Sequence, residues 1–181
     1  MANTQKDPAV QKTSKLRYDL SEIRINKTVS ELIHMGHDIR DKVPFESLAE
    51  FKPVKRDVVT GIEHVEGKLI SELLPLRHKR LAASPFSFFR GTDELMAYDL
   101  SHQTSSNIPV VISGDAHIGN FGFYASPERK LLFDLNDFDE STIGSWDWDV
   151  RRLLVSIILA GELHGLDADK ITSIEKAAVQ T

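Results

Sequence analysis

The sequence predicts an α+β fold, mainly helical, with one small β-hairpin set between two polar loops. Three observations carry this: helix-spaced apolar residues over 62–74, a nearly all-round apolar stretch over 149–164, and two short β-prone runs at 121–124 and 130–133. The 181 residues suffice for one domain, and a hydrophobic content of 41% is enough to fill its core.

Residues 1–18 are polar and aperiodic and read as a disordered tail, leaving 19–181 as the folded region. Ile62, Val65, Leu69, Ile70, Leu73 and Leu74 then repeat along one face of an amphipathic helix, which Pro75 breaks or kinks. A basic cluster, Arg77 to Arg80, precedes the aromatic run Ser84-Pro85-Phe86-Ser87-Phe88-Phe89-Arg90-Gly91. Thr92 is the expected cap of a short helix reaching His102, with Leu95, Met96 and Leu100 turned inward. Ile108 to Ile112 reads as a short buried strand, and residues 113–120 as a loop. The two hairpin strands follow, joined by residues 125–129, and a second polar loop spans 134–149. The apolar helix from about Asp149 to His164 is stopped by Gly165. Asp167 or Asp169 opens one more helix, which reaches Thr181 without a stop signal.

The totals exclude several classes. A net charge of −5 argues against broad affinity for nucleic acid or anionic lipid. The absence of cysteine rules out disulfides, thiolate nucleophiles and zinc sites built on cysteine. The N-terminus lacks the apolar core of a secretory signal, and the longest apolar run, Leu153 to Ala160, is too short to span a bilayer. A cytoplasmic protein without nucleic-acid or membrane partners is expected.

The chemistry concentrates in Gly114-Asp115-Ala116-His117-Ile118-Gly119-Asn120 and in the stretch from Asp134 to Asp149. Between Asp134 and Val150 stand six carboxylates and neither Lys nor Arg. Two such charges about 4 Å apart repel by roughly 4 kcal/mol at an effective dielectric near 20. A divalent cation relieves that repulsion, and hard oxygen ligands favour Mg²⁺ or Mn²⁺. Asp115 and Asn120, five apart on one loop, can share a mouth. A hairpin returning the second loop beside the first lets Asp137 reach the same cation as Asn120. Phosphoryl transfer needs these parts: an acid facing the acceptor hydroxyl, and an amide and an acid on the metal. Arg90 is a candidate contact for a nucleotide phosphate or for the acidic loop.

Gly114-Asp115-x-His117-x-x-Asn120 resembles the catalytic loop of aminoglycoside and choline kinase-like enzymes, and Asp137-Phe138 resembles their metal-binding motif after the hairpin. On a wider scale, the run from Ser84 to Gly91, the Gly-Asp-Ala-His loop and Asn136-Asp137-Phe138-Asp139-Glu140 are similar to a bacterial family called domain of unknown function 2252, over roughly residues 20–181. The resemblance implies a protein-kinase-like C-terminal lobe and Mg²⁺-dependent transfer of the ATP γ-phosphoryl group to a hydroxyl. The acceptor, a small molecule or a protein, is left open. It assigns the base to Asp115 with His117 beside it, and the metal to Asn120 and Asp137; Asp139, from the acidic cluster, is a further candidate ligand. Asp149 takes a structural part, beginning a buried helix and hydrogen-bonding back to the loop.

Three departures qualify the resemblance. Ser113 stands where kinase-like loops carry His or Tyr, no G-x-G-x-x-G or Walker A sequence is present, and no lysine sits in a clear strand pattern. In longer relatives of the resembled family a Gly-rich strand pair and a candidate lysine come later in the chain. The sequence is therefore expected to be a truncated piece whose nucleotide clamp lies in a missing C-terminal segment. Two competing readings remain: a metal-dependent phosphoesterase using the same carboxylates with water, and a non-catalytic binding remnant.

Overall fold

The computed structural model describes residues 27–180, so the predicted tail over 1–18 lies outside the described residues. These form an α+β arrangement of eight α-helices and two separate two-stranded antiparallel sheets.

Helix α1 (Val29–Lys42) opens with a reciprocal cap. The Thr28 hydroxyl accepts from the Glu31 N–H at 3.3 Å, and Glu31 Oε2 accepts from the Thr28 N–H at 2.6 Å. None of its residues is buried. A single turn, α2 (Phe45–Leu48), and α3 (Val58–Glu66), capped by Asp57, follow.

The single helix expected over 62–74 is two. Helix α3 ends at Glu66, and after the 3₁₀ turn Ser71–Leu73, α4 (Leu74–Leu81) begins with Pro75 in its first turn. A proline has no N–H to donate, and a first-turn N–H has no helical acceptor, so Pro75 starts a helix instead of breaking one. The aromatic run forms α5 (Pro85–Arg90), again opened by a proline, with the Ser84 hydroxyl accepting from the Ser87 N–H at 3.0 Å. Thr92 precedes α6 (Asp93–Leu100) but does not cap it by its side chain. Its hydroxyl donates back to Phe88 O at 2.9 Å and ties α6 to α5. Leu95 and Leu100 are buried as expected, Met96 is half-buried, and the helix stops at Leu100, short of His102.

The segment 134–149, expected as a loop, holds more structure than that. It contains the end of β3 (Leu131–Leu135), all of β4 (Thr142–Ser145) and the first turn of α7 (Trp146–Leu163). Strand β3 pairs with β2 (Phe121–Ala125) in the predicted hairpin, Phe121 opposite Leu135. Strand β4 pairs instead with β1 (Pro109–Ile112), Ile112 opposite Thr142. Four residues with one strong β-former carry no strand signal of their own, and their partner is distant in sequence. Close approach enforces the pairing: a Cβ on Gly144 would sit 2.4 Å from Ile112 Cδ1.

Helix α7 is the axis of the molecule, packing against α5, β1 and α8 (Ala168–Gln180). The buried apolar residues, Leu95, Leu100, Ile112, Ala116, Ile157 and Ile171, come from α6, β1, the loop after it, α7 and α8. Among the described residues no helix is long and apolar enough to cross a membrane.

Candidate functional site

The chain leaves β1 at Ile112, runs through 113–117 into the 3₁₀ turn Ile118–Asn120, crosses the β2–β3 hairpin and returns at Asn136. The Asn136 N–H donates to Asn120 O at 3.0 Å, one step beyond the last hairpin pair. The Ser113 hydroxyl reaches Asp137 O at 3.5 Å. The two polar loops are therefore drawn side by side at the base of the hairpin.

One face of α7 then holds the first loop, residue by residue. Asp149, Arg152 and Ser156 follow one another at helical spacing and point the same way. Asp149 accepts the N–H groups of Ser113 at 2.7 Å and Gly114 at 3.1 Å. Arg152 Nε donates to Asp115 Oδ1 at 2.5 Å, and its Nη2 meets the same oxygen. The Ser156 hydroxyl, fully buried, accepts the Ile118 N–H at 2.8 Å and donates to Leu153 O at 2.6 Å. Gly114 closes the turn at φ 84°, where a Cβ would lie 2.4 Å from Glu140 O.

Asp115 thus has one oxygen occupied. The other, Oδ2, lies 3.5 Å from His117 Nε2. Burial pushes the Asp115 carboxyl up to about 6, with Asp93 and Glu140 adding to the rise and the Arg152 charge and hydrogen bond opposing it. His117 is 2% exposed, and burial, aided by the charges of Arg90 and Arg152, pushes it down to about 4. The imidazole is therefore neutral near pH 7. Arg90 Nε, which can only donate, contacts His117 Nε2 at 3.3 Å, so the ring proton belongs on Nδ1. That Nδ1 is buried without a hydrogen-bond partner among the described residues.

Asn120 is buried, and its Nδ2 donates to Asp115 O at 2.9 Å, leaving Oδ1 as its free acceptor. The Asp137 charge acts on both His117 and Glu140, and its Oδ1 receives the Asp139 N–H at 3.5 Å. Asp139 and Glu140 line a cleft of about 380 Å³ with Asp93, Trp148 and Arg152. Arg90 is exposed at the end of α5, its guanidinium 5.9 Å from the centre of the Phe86 ring.

The six acids do not crowd together as their spacing in sequence suggests. Asp147 is a buried acceptor for the hydroxyls of Ser105, Ser106 and Ser145 and for the Ser106 N–H. Asp149 is the loop anchor, and Asp134 caps the neighbouring Leu135 N–H at 2.8 Å on the hairpin. Among the described residues no three of His, Asp or Glu gather closely enough to hold a metal by themselves. Sequence reasoning passed over Arg152 and Ser156. The available signal was the spacing of Arg152 and Ser156, three and seven positions after Asp149 and so on its face of the helix.

Residues 69–181 match the model of a family described as an uncharacterized protein conserved in bacteria (DUF2252). No curated protein and no solved structure matches the chain.

Proposed function

The chain belongs to the bacterial DUF2252 family, and on that premise we propose that it carries the catalytic loops of a kinase-like phosphotransferase, arranged as in the C-terminal lobe of a protein kinase. The observation that carries this reading is the gripping of loop 113–118 by Asp149, Arg152 and Ser156. It presents Asp115 with one oxygen held and one free, beside an Asn120 whose Oδ1 is also free.

In this reading Asp115 Oδ2 receives the proton of the acceptor hydroxyl. The hydroxyl oxygen forms the new bond to the γ-phosphorus of ATP, and the bond from that phosphorus to the ADP oxygen breaks. Asn120 Oδ1 and the Asp137 carboxylate are hard oxygen donors and suit Mg²⁺ or Mn²⁺. Two protein ligands match how Mg²⁺ is held when phosphate oxygens and water complete its shell. When bound, the ion neutralises charge on the phosphates. Arg90, exposed beside the turn that carries Asn120, is the residue placed to meet a phosphate oxygen. Neutral His117 accepts from Arg90 at Nε2 and packs beside Asp115 without donating to it. Asp139, on the turn after Asp137, lines the neighbouring cleft.

Because this piece can be inactive without its nucleotide clamp, the test is ATP turnover with Mg²⁺ by a longer relative that carries the clamp, and by its forms altered as Asp115→Ala and Asp137→Ala. Removing a group used in the transition state is expected to lower kcat by about 100-fold or more. Turnover unchanged in both variants overturns the role assignment. Phosphate released from phosphoesters with no need of ATP would instead support the phosphoesterase reading.

A further inference from the structure

Arg152 is the largest fully buried side chain among the described residues, 2% exposed. A guanidinium taken out of water is costly unless its donors and its charge are matched. Asp115 supplies its only carboxylate within 4.0 Å among the described residues. A fork of two N–H groups facing a carboxylate ordinarily takes both oxygens, one each. Here Nε donates to Oδ1, Nη2 lies against that same oxygen, and neither hydrogen-bonds Oδ2. The same Nη2 also donates to Phe89 O at 3.0 Å, and the guanidinium lies 4.4 Å from the centre of the Phe89 ring. Phe89 immediately precedes Arg90 on α5.

We propose that Arg152 is the positioning residue of this site, fixing Asp115 Oδ1 so that Oδ2 alone meets the acceptor hydroxyl, and tying that oxygen to helix α5. The inference rests on the phosphotransferase reading for the identity of the acceptor. A buried ion pair with no other task would use both oxygens and would need no carbonyl of α5. The arrangement gives the C-terminal end of α5 two neighbouring contacts. Its last residue, Arg90, faces the phosphate side, and the residue before it holds the guanidinium that aims the base. The groups facing Asp115 are Arg152 from α7, His117 from its own loop, Asp93 from α6 and Glu140 from the turn before β4.

The experiment compares Arg152→Lys, Arg152→Gln and Phe89→Leu in the full chain, as Mg²⁺-ATP turnover per folded molecule across pH 5.5 to 9. Lysine keeps the charge but cannot span Asp115 and Phe89 O. Its kcat is expected to fall about tenfold, with KM for ATP within about twofold of the parent. Glutamine removes the charge, so the acid limb of the profile is expected to move up by about one pH unit and alkaline pH to restore part of the rate. Phe89→Leu is expected to shift kcat in the same direction as lysine, by about threefold. A folded Arg152→Lys with parental kcat overturns the proposal. So does a folded Arg152→Gln with an unmoved acid limb; if the glutamine form does not fold, the lysine and Phe89 forms still decide. A parent without ATP turnover is the outcome expected of a piece that lacks its nucleotide clamp, and the phosphotransferase reading is then decided on a longer relative. The Arg152 clamp is then read from the ¹³C signal of the Asp115 carboxyl in parent and Arg152→Gln. An upward shift of its titration supports the clamp, and an unmoved one overturns it.

Discussion

The two ends of the β2–β3 hairpin are built on opposite principles. At its base, polar groups are buried and, His117 Nδ1 apart, matched: Asp149 to two backbone N–H groups, Ser156 to Ile118, Arg152 to Asp115, Asn136 to Asn120. Toward its tip, apolar side chains stand in water, with Phe123 71% exposed, Phe133 61% and Leu131 73%. The base gains its definition from directional bonds to one rigid helix, where a misplaced polar group carries its full desolvation cost. Toward the tip the side chains meet across the strands, Phe123 against Phe133 at 5.0 Å between ring centroids. The lesson is that the candidate site is specified by a polar face of α7 and not by the apolar core, which is small. A site of that kind breaks when one partner is removed and barely notices changes a few residues away on the same hairpin.

The sharpest way to break this contrast is Arg152→Met. It leaves the Asp115 carboxylate buried without a counter-charge and is expected to cost about 3–5 kcal/mol in urea unfolding. Pairing it with Asp115→Asn should recover much of that loss, and a single-variant cost below about 1 kcal/mol would show that the pair is not desolvated. Gly114→Ala comes next. The positive φ and the approach of Glu140 O together predict a loss of about 1–3 kcal/mol by the same measurement, whereas a neutral result would mean that the loop is free to rebuild.

The pH dependence sharpens the comparison further. The folded-state carboxyl of Asp115 is raised from 3.8 to about 6, so its folded form binds a proton that the unfolded form lacks between those values. His117 is lowered from 6.5 to about 4, so there the unfolded form binds the extra proton. Near pH 5 the two offset, and the pair contributes almost no slope to stability. In Asp115→Asn only the histidine term remains. That variant should lose stability as pH falls from 6 to 4, with a slope steeper than the parent's by about 1.4 kcal/mol per pH unit. Parallel stability curves for parent and variant would mean that the two titrations are not displaced in opposite directions. The smallest effect belongs to the tip, where Phe123→Ser is expected to change stability by no more than about 0.5 kcal/mol. A larger loss would show that the exposed aromatics are packed against something in solution.

Much of the scaffold was legible beforehand. The hairpin and its connection over 125–129, the apolar axis of α7 with its end before Gly165, the short helix after Thr92 and the final helix all follow from periodicity and turn chemistry. Elements with weak local signals were not. Strand β4 is four residues long and takes its identity from β1. Helix α5 hides in an aromatic run with no 3.6-residue spacing. Pro75, read as a breaker, occupies a position in the first helical turn that the same chemistry equally allows. Helix α1 carried a signal in Thr28-x-x-Glu31 that a search for buried faces passes over, because it has none.

What the sequence determined by itself is local: which stretches repeat as helix or strand, and that a loop with Asp115 and Asn120 and a loop with Asp137 flank one hairpin. What only the tertiary structure decided is which of the acids are fasteners. Asp147 and Asp149 became buried acceptors, and Arg152 came to rest on one oxygen of Asp115, because residues one helical turn apart face the same loop only after α7 has packed beneath it. Spacing along a chain counts charges. Packing alone assigns each of them a partner.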